Sequence, residues 1–289
     1  MINPKDCDES ELDILGRSFL KELLPFIETY GYDGRSQFWD IIDSKTNHSD
    51  SQTSDASQFL FFYSRKQSIE ALINSDIDIN KLVSSFSIDE DLVLIKIPST
   101  THGAAHYELN TILLDALRPM GLHKTIQGYP NTRIRSESAA RGKQPDCGWG
   151  PRRPPRMPGR STTKSPTVVL EVAYSESRRK LQSDIRYWLS PREGNAKVCL
   201  TMDIHRRDST ILVENWTRNA NGRIYRAQHI EITRQDQTIV SGDWPLRVPF
   251  ESLFLREIDR SSPRERENIN ISKAKLIELA STIWEAEDV

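Results

Sequence analysis

The chain has 289 residues, 37% of them hydrophobic, and a formal net charge of -2: enough for one sizeable core with a smaller subdomain, and too balanced for global attraction to a polyanion. Its three cysteines, Cys7, Cys147 and Cys199, form no spaced pair, which excludes a zinc ribbon and a disulfide framework and predicts a reducing compartment. No apolar run reaches the roughly 20 residues that cross a bilayer, so no membrane partner is expected; the opening Met1-Ile-Asn-Pro-Lys-Asp6 lacks the zones of a secretory signal, so an intracellular, cytoplasmic or nuclear protein is expected rather than a secreted one.

In chain order, Leu12, Leu15, Phe19, Leu23 and Ile27 recur at helical spacing and predict helix within residues 10–43, interrupted by Gly31 and Gly34. Residues 44–57 are mostly Ser, Thr, Asp and Asn and predict a mobile polar segment. A second apolar stretch at 59–73 predicts further helix, so that residues 1–91 read as a mainly helical accessory region. The core assigned to 92–260 opens with the apolar run 92–97. Ser99, Thr100 and Thr101 supply N-caps for an amphipathic helix at 102–117, with Ala105, Leu109, Ile112, Leu113 and Leu117 on its apolar side. Short extended segments follow at 122–127 and 132–135. Then come a Pro145-Asp146 turn, a proline-rich irregular loop at 150–166, a strand at 167–174 and a helix at 176–189 stopped before Pro191. Strands at 198–204, 210–216 and 224–233 are antiparallel by their short turns, Asn221-Gly222 among them. Residues 261–289 read as a polar linker and a terminal helix at 272–287. The series predicts an α/β (α+β) fold with a central mixed sheet flanked by helices.

Two carboxylates carry the chemistry. Val168-Val-Leu-Glu171-Val-Ala173 reads as a buried strand, and an acid rarely sits in one without a metal, an arginine or hydrogen-bond donors. Asp146 begins the preceding extended segment. Acids so placed hold a divalent ion against a phosphodiester, with Asp146, Glu171 and the Val172 carbonyl as ligands of Mg²⁺ or Mn²⁺. Around Asp146, residues 133–164 carry nine Arg or Lys against only Glu137 and Asp146. That density reads either as a solvated loop or as a phosphate-tracking rim.

Pro145-Asp146 and, 25 positions later, Glu171-Val-Ala173 resemble the restriction-endonuclease-like superfamily, whose site is written PD-(D/E)xK. The tail Ser175-Glu-Ser177-Arg-Arg-Lys180 is similar to its endonuclease-like branch with serines and a charged helix after a glutamate-valine strand. Met120-Gly-Leu122, Trp149 with Pro151, and Glu214-Asn-Trp216 also occur in uncharacterised fungal proteins of that build. The resemblance covers roughly residues 92–217 and implies a nuclease fold, a Mg²⁺ or Mn²⁺ cofactor, a nucleic-acid partner with DNA favoured, and for double-strand cutting a homodimer. Ala173 stands where the pattern has lysine. The missing cation is then supplied from elsewhere, with Lys180, Arg178, Arg179 and Lys143 as candidates, or the site binds without efficient cutting.

The superfamily often adds a glutamate from its first core helix, and Glu108 is the only acid in 102–113. His102 and His106 share one helix face, from which they contact phosphate or metal, but Gly103 stands where a zinc-protease motif needs glutamate. Arg141, Arg152, Arg153, Arg156, Arg178 and Arg179 are the candidate phosphate contacts. Trp149 is a stacking candidate weighed against core packing; Tyr187 and Trp188 read as core. Asp184 and Arg186 read as a solvated face, and Glu176 as a helix-start acid or an orienting group. The leading expectation is a metal-dependent nuclease. A decayed module that binds nucleic acid or protein is the alternative, as is an enzyme reusing the fold on a small molecule.

Overall fold

Strands dominate where β-branched and aromatic residues cluster. In the computed structural model, residues 11–12, 19–49, 58–64, 69, 72–73, 77–130, 132–155, 165–174 and 178–287 are described. The first half runs β1 (Glu11–Leu12), a 3-10 turn (Lys21–Phe26), β2 (Thr29–Gly31), α1 (Arg35–Ser49), β3 (Phe59–Tyr63), α2 (Ile77–Leu82), β4 (Val83–Ser87), β5 (Leu92–Lys96), α3 (Thr100–Leu117), β6 (Ile126–Gly128), β7 (Ile134–Arg135), β8 (Arg141–Lys143) and β9 (Cys147–Pro151). The second runs β10 (Val168–Tyr174), α4 (Arg178–Leu189), β11 (Val198–His205), β12 (Thr210–Arg218), β13 (Ile224–Arg234), β14 (Thr238–Gly242), β15 (Leu246–Pro249), α5 (Phe250–Phe254), β16 (Asn268–Ile271) and α6 (Lys273–Glu287).

The protein is mixed α and β. Its larger sheet has the order β1-β13-β12-β11-β10-β9-β6, with β14 also on β13. Within it β10 and β11 are parallel, joined by the crossover helix α4, and their other neighbours are antiparallel. A second sheet has the order β2-β3-β5-β4-β8-β7. Successive side chains of β10 go to opposite faces. Val168, Leu170, Val172 and Tyr174 join the cluster under α3 and α6, whereas Val169 and Ala173 join Leu181, Ile185 and Trp188 of α4. That second cluster also takes Phe59, Phe61, Leu92 and Leu94, so α4 lies between the two sheets. The far face of the smaller sheet, with Leu60, Phe62, Val93 and Ile95, is covered by Phe38 and Ile42 of α1 and Ile79 of α2.

The helix expected at 102–117 is present and opens as its caps require, the Ser99 hydroxyl accepting from His102 N at 3.3 Å. The expected strands at 167–174, 198–204, 210–216 and 224–233 and the terminal helix are also present. The amino-terminal expectation is corrected. Instead of a mainly helical accessory region, residues 29–31, 59–63 and 83–87 are strands of one sheet with β5 and β8, β2 pairing with β3, β3 with β5, and β4 with both β5 and β8, and a boundary at residue 91 cuts through that sheet. The run Phe59-Leu-Phe-Phe-Tyr63 is too short for its apolar period to discriminate, and its aromatic content favours a strand. In the expected linker, Asn268–Ile271 pairs with β15. The polar segment at 44–57 continues α1 to Ser49, and its remainder lies outside the described residues.

The chain passes from the smaller sheet to the larger between Lys143 and Cys147. Gly142, which sets that passage, has no room for a side chain: a Cβ there would lie 2.2 Å from Cε1 of Phe86, itself fully buried. Gly142→Ala is expected to cost about 1–3 kcal/mol through overpacking. The measurement is urea unfolding, where the midpoint should fall while the slope is kept.

Candidate active site

Asp146 lies between the two sheets, just ahead of β9. Its Oδ2 accepts the backbone N–H of Val172 at 2.7 Å, and its Oδ1 lies 2.6 Å from Lys96 Nζ and 3.0 Å from His102 Nε2. Lys96 ends β5 of the smaller sheet, and His102 stands in the first turn of α3, so three separate elements meet on one carboxylate. Burial works to raise the Asp146 pKa, but the interactions of His102 and Lys96 outweigh it and hold the carboxyl well below its ordinary range. Burial lowers His102 to about 4. At neutral pH the imidazole is therefore uncharged, and the Lys96 ammonium with the Val172 N–H sustains the Asp146 anion.

Glu171 follows from the ladder. Leu170 pairs with Cys147 on antiparallel β9 and β10, so continuing by one step sets Glu171 opposite Asp146. The Glu171 side chain turns toward α4, where Oε1 accepts from Trp188 Nε1 at 2.6 Å and Oε2 lies 3.1 Å from Lys143 Nζ. Lys143 also reaches Asp184 Oδ1 at 2.9 Å, and the other Asp184 oxygen pairs with Lys180. Burial pushes Glu171 up to about 8, with the charges of Asp184 and Asp146 in the same direction and Lys143 and Lys180 opposing. Burial opposes the charge of Lys143 too, but Asp184, Glu171 and Asp146 overcome it and raise the ammonium well above its ordinary value. Asp184 is lowered, its burial outweighed by Lys143 and Lys180. Glu171 is thus the member of the network whose ionisation falls nearest neutral pH.

The other expected residues divide. His106 stays near Asp146: its ring centroid is 6.1 Å from that of His102, and burial lowers it while the Asp146 charge raises it. Glu108 does not join; six residues past His102 it has turned about 120° around the helix, and its charge acts on Lys275 of α6. Trp149 is corrected from a stacking candidate to a core residue, 1% exposed, with Nε1 donating to Asn110 Oδ1 at 2.9 Å. The Val172 group at Asp146 is its N–H rather than its carbonyl. Arg141 pairs with Glu193 at 3.0 Å, Arg178 lies 3.7 Å from Glu214, and Arg179 covers the Phe26 ring at 4.3 Å. Arg152 and Arg153 sit past the opposite end of β9, about 20 Å along extended chain from Asp146, so the basic rim is not continuous around it. Arg156 and Glu176 lie outside the described residues.

Three participants escaped the sequence reading. Asp184, expected on a solvated face, is buried between two lysines. Its signal was the spacing Lys180, Asp184, Trp188, which repeats every four residues and sets all three on the helix face toward Glu171. Lys96 carried a signal like that of Glu171, a charge within the apolar run 92–97. Trp188 was read as core, which it is, but its indole N–H also caps Glu171.

Among the described residues no three His, Cys, Asp or Glu side chains converge as a metal cage. Mg²⁺ commonly takes one or two carboxylates and keeps its waters; Asp146 and Glu171 are oxygen donors of that kind, and the Asp146 charge acts on Glu171. In chemistry the two donors fit a hard divalent ion. No described helix is long and apolar enough to cross a membrane. No known family model matches this chain, and no curated protein matches it significantly.

Removing one member of the buried network leaves an uncompensated charge, which costs about 3–5 kcal/mol. Lys143→Met is expected to lose that much in chemical unfolding, and Lys143→Met with Glu171→Gln to recover part of it. Equal loss in the single and double variants would show that the two groups are not coupled. His102 gives a pH dependence of definite sign: its folded value of about 4 lies below the ordinary 6.5, so the unfolded chain takes up the proton first. Its contribution to stability is present above about pH 6.5 and lost as pH falls toward 4. Unfolding free energy measured from pH 7 to 4.5 should fall more steeply in the parent protein than in His102→Gln.

Proposed function

We propose that this protein is a metal-dependent nuclease of the restriction-endonuclease-like PD-(D/E)xK kind, hydrolysing phosphodiester bonds of DNA. The observation that carries the reading is the setting of Asp146, just ahead of β9, and Glu171, on the antiparallel neighbour β10, each with a lysine ammonium against it. The surrounding order supports it. A helix (α3) precedes three antiparallel strands (β6, β9, β10), then a crossover helix (α4) and a strand parallel to the last (β11). This is the helix, strands, helix, strand series that the resemblance implies, with the aspartate at the start of one strand and the glutamate on the next.

Asp146 and Glu171 would hold Mg²⁺ or Mn²⁺, which when bound supplies a more acidic water and neutralises charge on the phosphate. The chain's own groups do the rest. Asp146 is ionised at neutral pH, and its orientation is fixed by the Val172 N–H. Of the three lysines in the cluster, Lys143 is wholly inaccessible and the Lys180 side chain is 4% exposed, whereas that of Lys96 is 16% exposed. Lys96 is therefore the cation able to meet a non-bridging phosphate oxygen, in the role of the lysine that Ala173 cannot play. Lys143 and Asp184 act as positioning residues that hold Glu171 between strand and helix.

Plasmid and oligonucleotide cleavage with Mg²⁺ or Mn²⁺ is the test. Cleavage should stop with chelator, with Asp146→Ala and with Glu171→Gln, and should fall at least about 100-fold in kcat with Lys96→Met. Because Glu171 is raised to about 8 and binds metal deprotonated, the rate should climb as pH rises through that value. The second reading, a decayed module that binds without cutting, is favoured by one observation: both Glu171 oxygens are already engaged, by Trp188 and Lys143. Absence of cleavage by pure protein with either ion would decide for it.

A further inference from the structure

We propose that a basic cleft at the far end of β9, remote from Asp146 and Glu171, is a second site that binds single-stranded nucleic acid through its backbone phosphates. The cleft encloses about 670 Å³ and is lined by Lys124, Arg152 and Arg153 over an apolar floor that includes Leu122, Pro151 and Phe254. That volume is ample for a nucleotide, since small-ligand sites commonly occupy ~300–1,000 Å³. Among the described residues no acidic side chain lines it.

Its cations are not spoken for. Lys124, Arg152 and Arg153 are exposed, and among the described residues their side chains make no ion pair or hydrogen bond. The fourth basic residue, Arg256, differs: its guanidinium is held by Glu265 at 2.6 and 2.9 Å and lies over the Phe250 and Phe254 rings at 4.7 and 5.8 Å. Arg256 is therefore a neutralised wall, and the uncompensated charge is that of the other three. The backbone beneath them is fixed, because Arg152 N donates to Thr125 O at 2.8 Å and ties the end of β9 to the turn carrying Lys124. Three unpaired cations on a rigid support, facing an apolar surface with no acid, match a strand that offers phosphates on one side and sugars and bases on the other.

The site is spatially separate. Asp146 precedes β9 and Arg152 follows it, a span of about 20 Å of extended chain. The cleft stands on its charge and lining alone, but the choice of nucleic acid over another polyanion rests on the nuclease reading of the acidic pair.

The experiment is fluorescence anisotropy with a labelled 20-nucleotide oligo-dT, titrated with full-length protein in EDTA over a series of salt concentrations. Lys81→Glu, on the exposed helix α2 over the far face of the smaller sheet, is compared with Arg152→Glu/Arg153→Glu, and circular dichroism confirms that both are folded. Lys81→Glu should bind like the parent. The double charge reversal should weaken binding at least about tenfold at low salt and reduce the log–log salt slope by ~1.4, the share of two phosphate contacts. Unchanged affinity and slope in the charge-reversal variant would overturn the second site, whether or not the protein cleaves DNA. Equal loss in both variants would show that bulk charge rather than this cleft holds the strand, and would overturn the site. Absence of oligo-dT binding by the parent protein at low salt would overturn the nucleic-acid assignment. Absence of cleavage with the expected binding pattern would leave the cleft standing and remove only the nuclease reading.

Discussion

The buried ammonium of Lys143 between Glu171 and Asp184 is the interaction on which the rest of the structure depends. Lys143 is contributed by the smaller sheet, Glu171 by the centre of the larger one and Asp184 by the helix between them. Three elements that also meet through apolar contacts are pinned in one relative position. A buried charge is tolerated only when paired and hydrogen-bonded, and here each carboxylate has two partners: Glu171 has Lys143 and Trp188, and Asp184 has Lys143 and Lys180. Such a network contributes little net stability compared with apolar side chains of the same volume, but it penalises any shift of sheet against helix. That is the property a two-strand metal site needs.

The same constraint explains why the amino-terminal residues cannot be separated from the core. β8 is hydrogen-bonded to β4 and β7, and its last residue is Lys143; β5 lies between β3 and β4, and its last residue is Lys96. Both lysines of the smaller sheet therefore enter the cluster from strand ends, positions set by backbone pairing rather than by loop conformation. The Phe59 ring completes the arrangement. Lys96 and Lys180 both lie over it, at 5.6 and 4.3 Å from its centroid, so the ring's π-electrons stabilise both charges.

How far the sequence could be read depended on whether the signal was local. Glu171 was legible because a carboxylate in Val168-Val-Leu-Glu-Val-Ala173 has few physical explanations, and α3, β10 to β13 and α6 were legible because their periods persist long enough to separate helix from strand. Asp184 was misread because its helix looks charged on all sides until one knows that α4 is covered on both faces, by the larger sheet and by Phe59, Phe61, Leu92 and Leu94 of the smaller one. Trp149 was ambiguous for the opposite reason: an indole in a basic stretch stacks or packs depending on whether its strand is central or exposed, and here β9 lies between β6 and β10. The basic stretch itself misled by proximity in sequence. Extended chain carries Arg152 some 20 Å from Asp146 in six residues, so charges adjacent in the sequence serve different ends of one strand.

The choice among the lysines turns on what each would leave behind if it moved toward a substrate. Withdrawing Lys143 would strand Glu171 and Asp184 in the interior, and withdrawing Lys180 would remove one of the two partners of Asp184. Lys96 can retreat at smaller cost, since the Val172 N–H remains on Asp146 and a divalent ion would replace the ammonium's charge. On the proposed nuclease reading, an ammonium resting on the carboxylate where a cation would bind keeps the anion ionised and oriented beforehand. On that reading Lys96 would stand in for the lysine that position 173 lacks. Ala173 is buried against Leu181 and Ile185 of α4, a position with no path to solvent, and a mobile cation is better supplied from the end of β5.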